Sequence, residues 1–223
     1  MNRTVFLLST LLFLSCNGQE LIQVKSSRTD SEILELADKL TDEGANKKAI
    51  ELLLKIETPT IESEYLLGFA HLELKDYDSA VSIFKKIYKE SPNYRNTCFN
   101  LSQCLLKKTN WDHASKETVT TCLKTIDYLT EGIKYQTGKI SNYDLSRYHA
   151  SRGQMHQLNS NFQEALYDFN IAINLAPVGD YYSRRAMTYH FMGKDFLACE
   201  DLKKGAALGQ TYVTEEINKI CPK

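Results

Sequence analysis

The chain is poor in residues that break or kink a backbone: 4 Pro and 10 Gly in 223 positions. With 25% of residues charged, that scarcity excludes a disordered or collagen-like chain over most of the length. A dominant charge is missing too. Lys and Arg number 27 against 28 Asp and Glu, a formal net charge of −1, which leaves no electrostatic footprint for nucleic acid. No window alternates β-branched and polar residues for long enough to form a strand. Tryptophan occurs once, at Trp111, so an aromatic platform for sugars would have little to build on.

Signatures of chemistry are equally sparse. The sequence contains no GxSxG, no GxGxxG and no CxxC. Gly132 to Lys139 departs from a phosphate loop, with five residues between its glycines, Ile140 in place of Ser or Thr, and no strand before it. His71, His113, His149, His156 and His190 show no i,i+4 pair with an intervening Glu. They read as packing or surface groups, because a metal site needs convergent ligands. The carboxylate pairs Asp76/Asp78 and Glu200/Asp201 read as turn or exposed-face residues. Catalytic residues, a metal and a cofactor are therefore not expected.

What the sequence does contain is a ruler. From Gly153, the residues Phe162, Ala165, Phe169, Ala172 and Pro177 follow at spacings of 9, 12, 16, 19 and 24. From Gly68, the residues Tyr77, Ala80, Phe84, Ile87 and Pro92 follow at the same spacings. Small residues at fixed offsets let two antiparallel helices approach, an aromatic ring fills the space between them, and the proline ends the unit. Asn161 is placed to cap the second helix of its unit.

This pattern resembles the tetratricopeptide repeat, a 34-residue helix–turn–helix unit. The resemblance implies an all-α fold, an α-solenoid of about five units with a C-terminal capping helix. Units are expected at 30–60, 61–94, 95–141, 146–178 and 179–209, with the cap at 211–221. Asp30 or Ser31 is expected to cap the first helix and Gly44 to mark its turn. The third unit is 17 residues longer than one repeat, which predicts a lengthened second helix and a loop at Thr137 to Asn142. Such units cannot bury their apolar faces alone and must stack.

The N-terminus reads as an address. Arg3 precedes an apolar run from Val5 to Leu14, too short to span a bilayer and suited to a signal peptide over 1–15. Phe13-Leu14-Ser15-Cys16 resembles a bacterial lipobox, which implies acylation of Cys16 and a flexible tether over 16–29. The expected location is the cell envelope, on the outer membrane facing the periplasm. The alternative is a secreted protein with a free Cys16. Export would permit disulfides. Cys199 and Cys221 are placed to staple the cap to the last repeat, and Cys98 and Cys122 to meet across the third helix pair, leaving Cys104 over. Buried free thiols are the alternative for each pair.

The resemblance also implies where a partner would lie: along the concave side, on the first helix of each unit. Those slots hold Tyr65 and Phe69, then Phe99, Asn100 and Gln103, then Arg147 and Gln154, then Arg184 and Met187. Aromatics come first and arginines with amides later, a gradient suited to a segment with an apolar end and an acidic end. Leu34 and Asp38 stand where chaperone-binding relatives carry Lys and Asn, which argues against that class of partner. The expected function is a non-enzymatic, protein-binding scaffold anchored in the envelope, taking a peptide or helix in its groove. A carbohydrate- or nutrient-uptake lipoprotein is the alternative. The oligomeric state is open.

Overall fold

The computed structural model describes residues 28–108, 116–211 and 213–221, without the side chains of 116–119. Regular structure among the described residues is helical throughout. The helices are α1 (Asp30–Asp42), α2 (Asn46–Leu53), α3 (Ile61–Glu73), α4 (Tyr77–Glu90), α5 (Thr97–Lys108), α6 (Lys116–Gln136), α7 (Asn142–Leu158), α8 (Phe162–Leu175), α9 (Gly179–Phe191), α10 (Asp195–Ala207) and α11 (Val213–Ile220). The signal peptide, Cys16, most of the tether, Trp111 and His113 lie outside the described residues.

Each helix packs on the next in the chain, and the odd-numbered helices also touch in pairs: α1 with α3, α3 with α5, α7 with α9. First helices therefore line one side of a solenoid. The ruler has a structural meaning. A Cβ on Gly68 would lie 3.1 Å from Phe84, and a Cβ on Gly153 would lie 3.1 Å from Phe169. The same offset of 16 brings glycine and ring together in both units, and both rings are fully buried. Each ring contributes about 1.5–3 kcal/mol of burial.

The hairpin turns share a second device. Gly44, Lys75, Ser160 and Gly193 occupy corresponding positions and all have positive φ, from 61° to 75°. In each turn the following N–H reaches back five residues to a carbonyl: Ala45 to Leu40, Asp76 to His71, Asn161 to His156 and Lys194 to Tyr189, at 2.7 to 2.9 Å. This is the Schellman closure of a helix C-terminus. Two of the turns reach it with glycine; Lys75 and Ser160 reach it at the cost of a left-handed conformation.

Several local expectations need correction. Thr29 caps α1, not Asp30 or Ser31: its hydroxyl accepts from the Glu32 N–H while its own N–H donates to the Glu32 carboxylate. Asp30 instead accepts from the N–H groups of Glu57 and Thr58, tying the end of the first unit to its start. Asn161 sits at the α8 N-cap without making a side-chain cap bond, whereas Asp76, at the corresponding position of the second unit, accepts from the Ser79 N–H at 3.3 Å. The fourth unit opens at Asn142, four residues before Ser146, where Ser141 accepts from the Asp144 N–H at 3.0 Å. The third unit's second helix, α6, runs for 21 residues.

A disulfide joins Cys199 in α10 to Cys221 beyond α11. The pairing of Cys98 with Cys122 is not made; both are free, buried thiols. They share one core cluster with Phe99, Leu129, Tyr148 and Met155, but the Cys98 thiol is directed to the Pro92 carbonyl oxygen at 3.2 Å. Burial pushes its pKa up to about 12, so it stays protonated and inert.

Asp201 is not an exposed carboxylate. It is 3% exposed and accepts from Arg185 through both oxygens at 2.7 and 2.8 Å. One repeat earlier, Asp168 accepts in the same way from Arg152, at 2.7 and 2.8 Å, and from His149 Nδ1 at 2.9 Å. Burial alone would raise the Asp168 pKa; the bonds from His149 and Arg152 outweigh it and lower the pKa. In the first two units the corresponding slots hold Leu36 with Leu52 and Leu67 with Ile83. One position is thus apolar in the N-terminal half and a buried ion pair in the C-terminal half.

Candidate partner-binding trough

Helices α3, α5, α7 and α9 present the concave wall. Two cavities follow one another along it. The first, about 340 Å³, lies between Phe69, Leu72, Lys107, Phe99 and Arg147. The second, about 350 Å³, lies between Phe99, Arg147, Ser151, Gln154, Tyr143 and Arg184. Phe99, Gln103 and Arg147 border both, so the two form one trough.

Phe99 is the midpoint of its floor. The ring is 7% exposed and leans on Tyr148 with ring centroids 5.0 Å apart. The Arg147 guanidinium covers it, 4.6 Å from the centroid, a cation–π contact worth about 0.5–1 kcal/mol at such a half-open site. Gln103 Nε2 donates to Ser151 Oγ at 3.2 Å, which bridges α5 to α7. Arg184 Nε donates to Asp180 Oδ2 at 2.6 Å one turn back, and Arg147 lies 3.6 Å from Asp144. These pairs are partly exposed, so each holds its arginine weakly. A carboxylate from a partner can compete for either guanidinium.

The nine side chains expected in the groove divide. Phe69, Phe99, Asn100, Gln103, Arg147, Gln154 and Arg184 border the trough. Tyr65 does not. It is buried against Phe84 and Tyr94, with centroids 5.8 and 5.6 Å away, and its hydroxyl accepts from Asn100 Nδ2 at 3.0 Å. Burial raises its pKa. Met187 lies beyond the trough, in an apolar cavity with Leu158, Phe162 and Phe191 and in a smaller one beneath α11.

Sequence reasoning missed Lys75, Tyr77, Lys107 and Tyr143, which also border the trough. Lys107 falls at one of the concave positions of its unit and was open to the same argument; Lys75 and Tyr77 come from a turn and a second helix, which a list of first-helix slots omits. Their effect is electrostatic. Lys75, Lys107, Arg147 and Arg184 face Glu73 and Asp180, so the trough is cationic on a chain whose net charge is −1.

The ion pairs of Asp168 and Asp201 lie between paired helices, outside this trough. Arginine occupies both oxygens of each carboxylate, which is a packing arrangement. Among the described residues no three or more His, Cys, Asp or Glu side chains converge as metal ligands would, and no helix is long and apolar enough to cross a membrane.

The family model described as "Tetratricopeptide repeat" matches residues 71–118, from the end of α3 to the start of α6. Solved structures resemble the chain over most of its length. Residues 41 to the end of MamA from Desulfovibrio magneticus RS-1 align with a TM-score of 0.67 at 17% identity, covering 82% of this chain and 96% of that one. TTC0263, a thermophilic tetratricopeptide-repeat protein in Thermus thermophilus, aligns with a TM-score of 0.61 at 18% identity, covering 86% and 98%. No curated protein matches the chain in sequence. At these identities the likeness is one of fold, and the fold is the tetratricopeptide α-solenoid.

Proposed function

We propose that this tetratricopeptide-repeat protein is a non-enzymatic scaffold that holds a segment of another protein in its trough. The observation that carries the reading is the pair of adjoining cavities from Phe69 to Arg184, which share Phe99, Gln103 and Arg147 and are edged by four cations against two carboxylates. Apolar side chains of a partner fit against Phe69 and Leu72, at an end that Lys75 and Lys107 also border. Acidic side chains or a terminal carboxylate fit the end at Arg147 and Arg184, where a guanidinium offers a planar pair of donors. Gln103 and Gln154 supply donors and acceptors for an extended main chain.

The lipobox-like Phe13-Leu14-Ser15-Cys16 supports an anchor at Cys16 that places the scaffold on the envelope, the outer membrane facing the periplasm, with the tether lifting the solenoid off the lipid. More than one acyl chain is needed for firm attachment. The test combines two measurements. Crosslinking and mass spectrometry on intact cells identify the partners of the wild-type protein. Replacing Phe69, Phe99 and Arg184 together is expected to remove those partners, while Cys16→Ser is expected to move the protein into the soluble fraction. Undiminished crosslinks in the triple variant would overturn the groove reading; unchanged membrane partition of Cys16→Ser would overturn the anchor.

A further inference from the structure

At its Arg184 end the trough adjoins a second cavity, which α11 covers. Helix α11 packs chiefly on α10, with Val213 fully buried and Ile217 and Ile220 partly buried against Ala186, Ala198 and Leu202. Val213 and Glu216 close a cavity of about 190 Å³ over Gln157, Arg184 and Met187. Arg184 also borders the trough. Gln157 and Met187 also border the apolar cavity of about 540 Å³ beside Phe162 and Phe191. Those two rings stack with centroids 6.0 Å apart, yet Phe191 is 56% exposed. Helix α11 therefore covers the small cavity that shares Arg184 with the trough and Gln157 and Met187 with the apolar shelf.

The hold on α11 is uneven. An 8-residue helix is too short to persist alone in water, and its outward face is polar, with Glu215 and Lys219 paired to each other. Its N-terminal end is fastened by Val213; its C-terminal end is fastened by Cys221 to Cys199, across a sequence separation of 22. Closing a loop of this size favours the attached state on the order of a hundredfold. Cys199 is 6% exposed and Cys221 is more open, so an attacking thiolate reaches the Cys221 sulfur first.

We propose that α11 is a disulfide-latched strap, and that its release by a dithiol joins the trough to the shelf of Met187, Phe162 and Phe191. A thiolate of the dithiol attacks Cys221 Sγ, the S–S bond breaks, and Cys199 leaves as a thiolate and takes a proton. The second thiol of the reductant then attacks the mixed disulfide, frees Cys221 as a thiol and closes the reductant's own disulfide. Two electrons pass to this chain. Released, α11 uncovers an apolar extension of the site at its arginine end, so the reduced protein accepts a longer segment with an apolar patch beyond its acidic one. That consequence rests on the trough being the partner site; the latch itself does not.

The test is amide hydrogen exchange on the full chain with and without dithiothreitol, with thiol alkylation confirming reduction, and with Cys221→Ser as a second route to the open state. Reduction is expected to speed exchange over residues 213–220 at least tenfold, and to speed peroxide oxidation of Met187 severalfold, while α3 to α8 keep their protection. Unchanged protection of 213–220 with both thiols alkylated would overturn the latch. So would loss of protection in α9 and α10 to the same extent as in α11, since the bond would then be a staple for the whole repeat. Opening of α11 together with undiminished crosslinking by the Phe69, Phe99 and Arg184 triple variant keeps the latch and removes the trough reading.

Discussion

Replacing Asp201 by Ala tests the C-terminal core at its most exposed assumption, that the buried ion pair is costly to break and cheap to replace. The Asp201 side chain is 4% exposed and the Arg185 side chain 16%. Removing the carboxylate leaves a guanidinium between α9 and α10 that keeps, among the described residues, Asn170 Oδ1 as an acceptor and the Tyr182 and Tyr189 rings 5.6 and 5.9 Å away. Breaking a buried pair in this way costs about 3–5 kcal/mol, and the residual exposure of Arg185 places the loss near the lower figure. For a chain of this size each kcal/mol moves the midpoint by about 2–4 °C, so a drop of roughly 6–12 °C is expected. The second unit supplies the control, because Leu67 and Ile83 fill the same slots. Arg185→Leu with Asp201→Ile should return to within about 1 kcal/mol of the parent, as apolar replacements of buried pairs do. Thermal and urea unfolding at 222 nm of the parent, both single variants and the double variant gives the coupling energy directly. Stability in a solenoid is close to a sum over repeats and interfaces, so the unfolding of the last repeats is the part that moves. A single variant within 1 kcal/mol of the parent, or a double variant as damaged as the two singles together, would refute the reasoning.

Three further outcomes follow from the same geometry. Asp168 has its pKa lowered below the ordinary 3.8, so its contribution to stability is complete above the unfolded value and is lost as pH falls through the folded one; urea midpoints between pH 2 and 6 should fall steeply below pH 4 in the parent and less steeply in Asp168→Asn. Gly132→Ala would place a Cβ 2.4 Å from the Tyr148 ring and 3.0 Å from Cys98 Cβ; overpacking of about 1–3 kcal/mol outweighs the helix gain of roughly 0.5–1 kcal/mol, and a variant as stable as the parent would contradict the close approach of α6 and α7. Ser160→Gly relieves a left-handed residue at φ 61° and should stabilise by up to about 1 kcal/mol, since the αL penalty of 1–2 kcal/mol exceeds the entropy that glycine adds to the unfolded chain; calorimetry of the pair decides the sign.

The helical hairpins were legible because the contacts that define them need particular residue types. Only a missing or one-carbon side chain at Gly68, Gly153, Ala80 and Ala165 lets the helices close, and only a large ring fills the gap left at Phe84 and Phe169, so the constraint is written in the residues themselves. The ion pairs were not read, although Arg152 to Asp168 and Arg185 to Asp201 repeat a spacing of 16 at an interval of 33. A charged residue on a helix is ordinarily solvated, and composition does not say which carboxylate faces inward. Placing the charges on the same ruler as the glycines would have found them, because each arginine falls one position before the small residue of the first helix, Gly153 or Ala186, and each aspartate one position before the large residue of the second, Phe169 or Leu202. Tyr65 failed for a different reason. Neighbouring positions on a helix differ by about 100° in direction, so a slot at the border between trough and core is settled by its partners, here Phe84, Tyr94 and Asn100.

The long third unit explains why the trough has its floor at Phe99. Helices α6 and α7 run 21 and 17 residues and enclose one cluster of Cys98, Phe99, Cys122, Leu129, Tyr148 and Met155. Tyr148 passes over Gly132, and its hydroxyl donates to Asn96 Oδ1 at 3.1 Å, so α7 is held against the start of α5 as well as against α6. Phe99 leans on that tyrosine from one side and carries Arg147 on the other. The residue that joins the two cavities is therefore fixed by the joint between the third and fourth units, and the two ends of the trough cannot shift against each other without unpacking it. A segment held in the trough in the way proposed would have to match the spacing between Phe69 and Arg184 as built, so that length, as much as charge, would decide which segments fit.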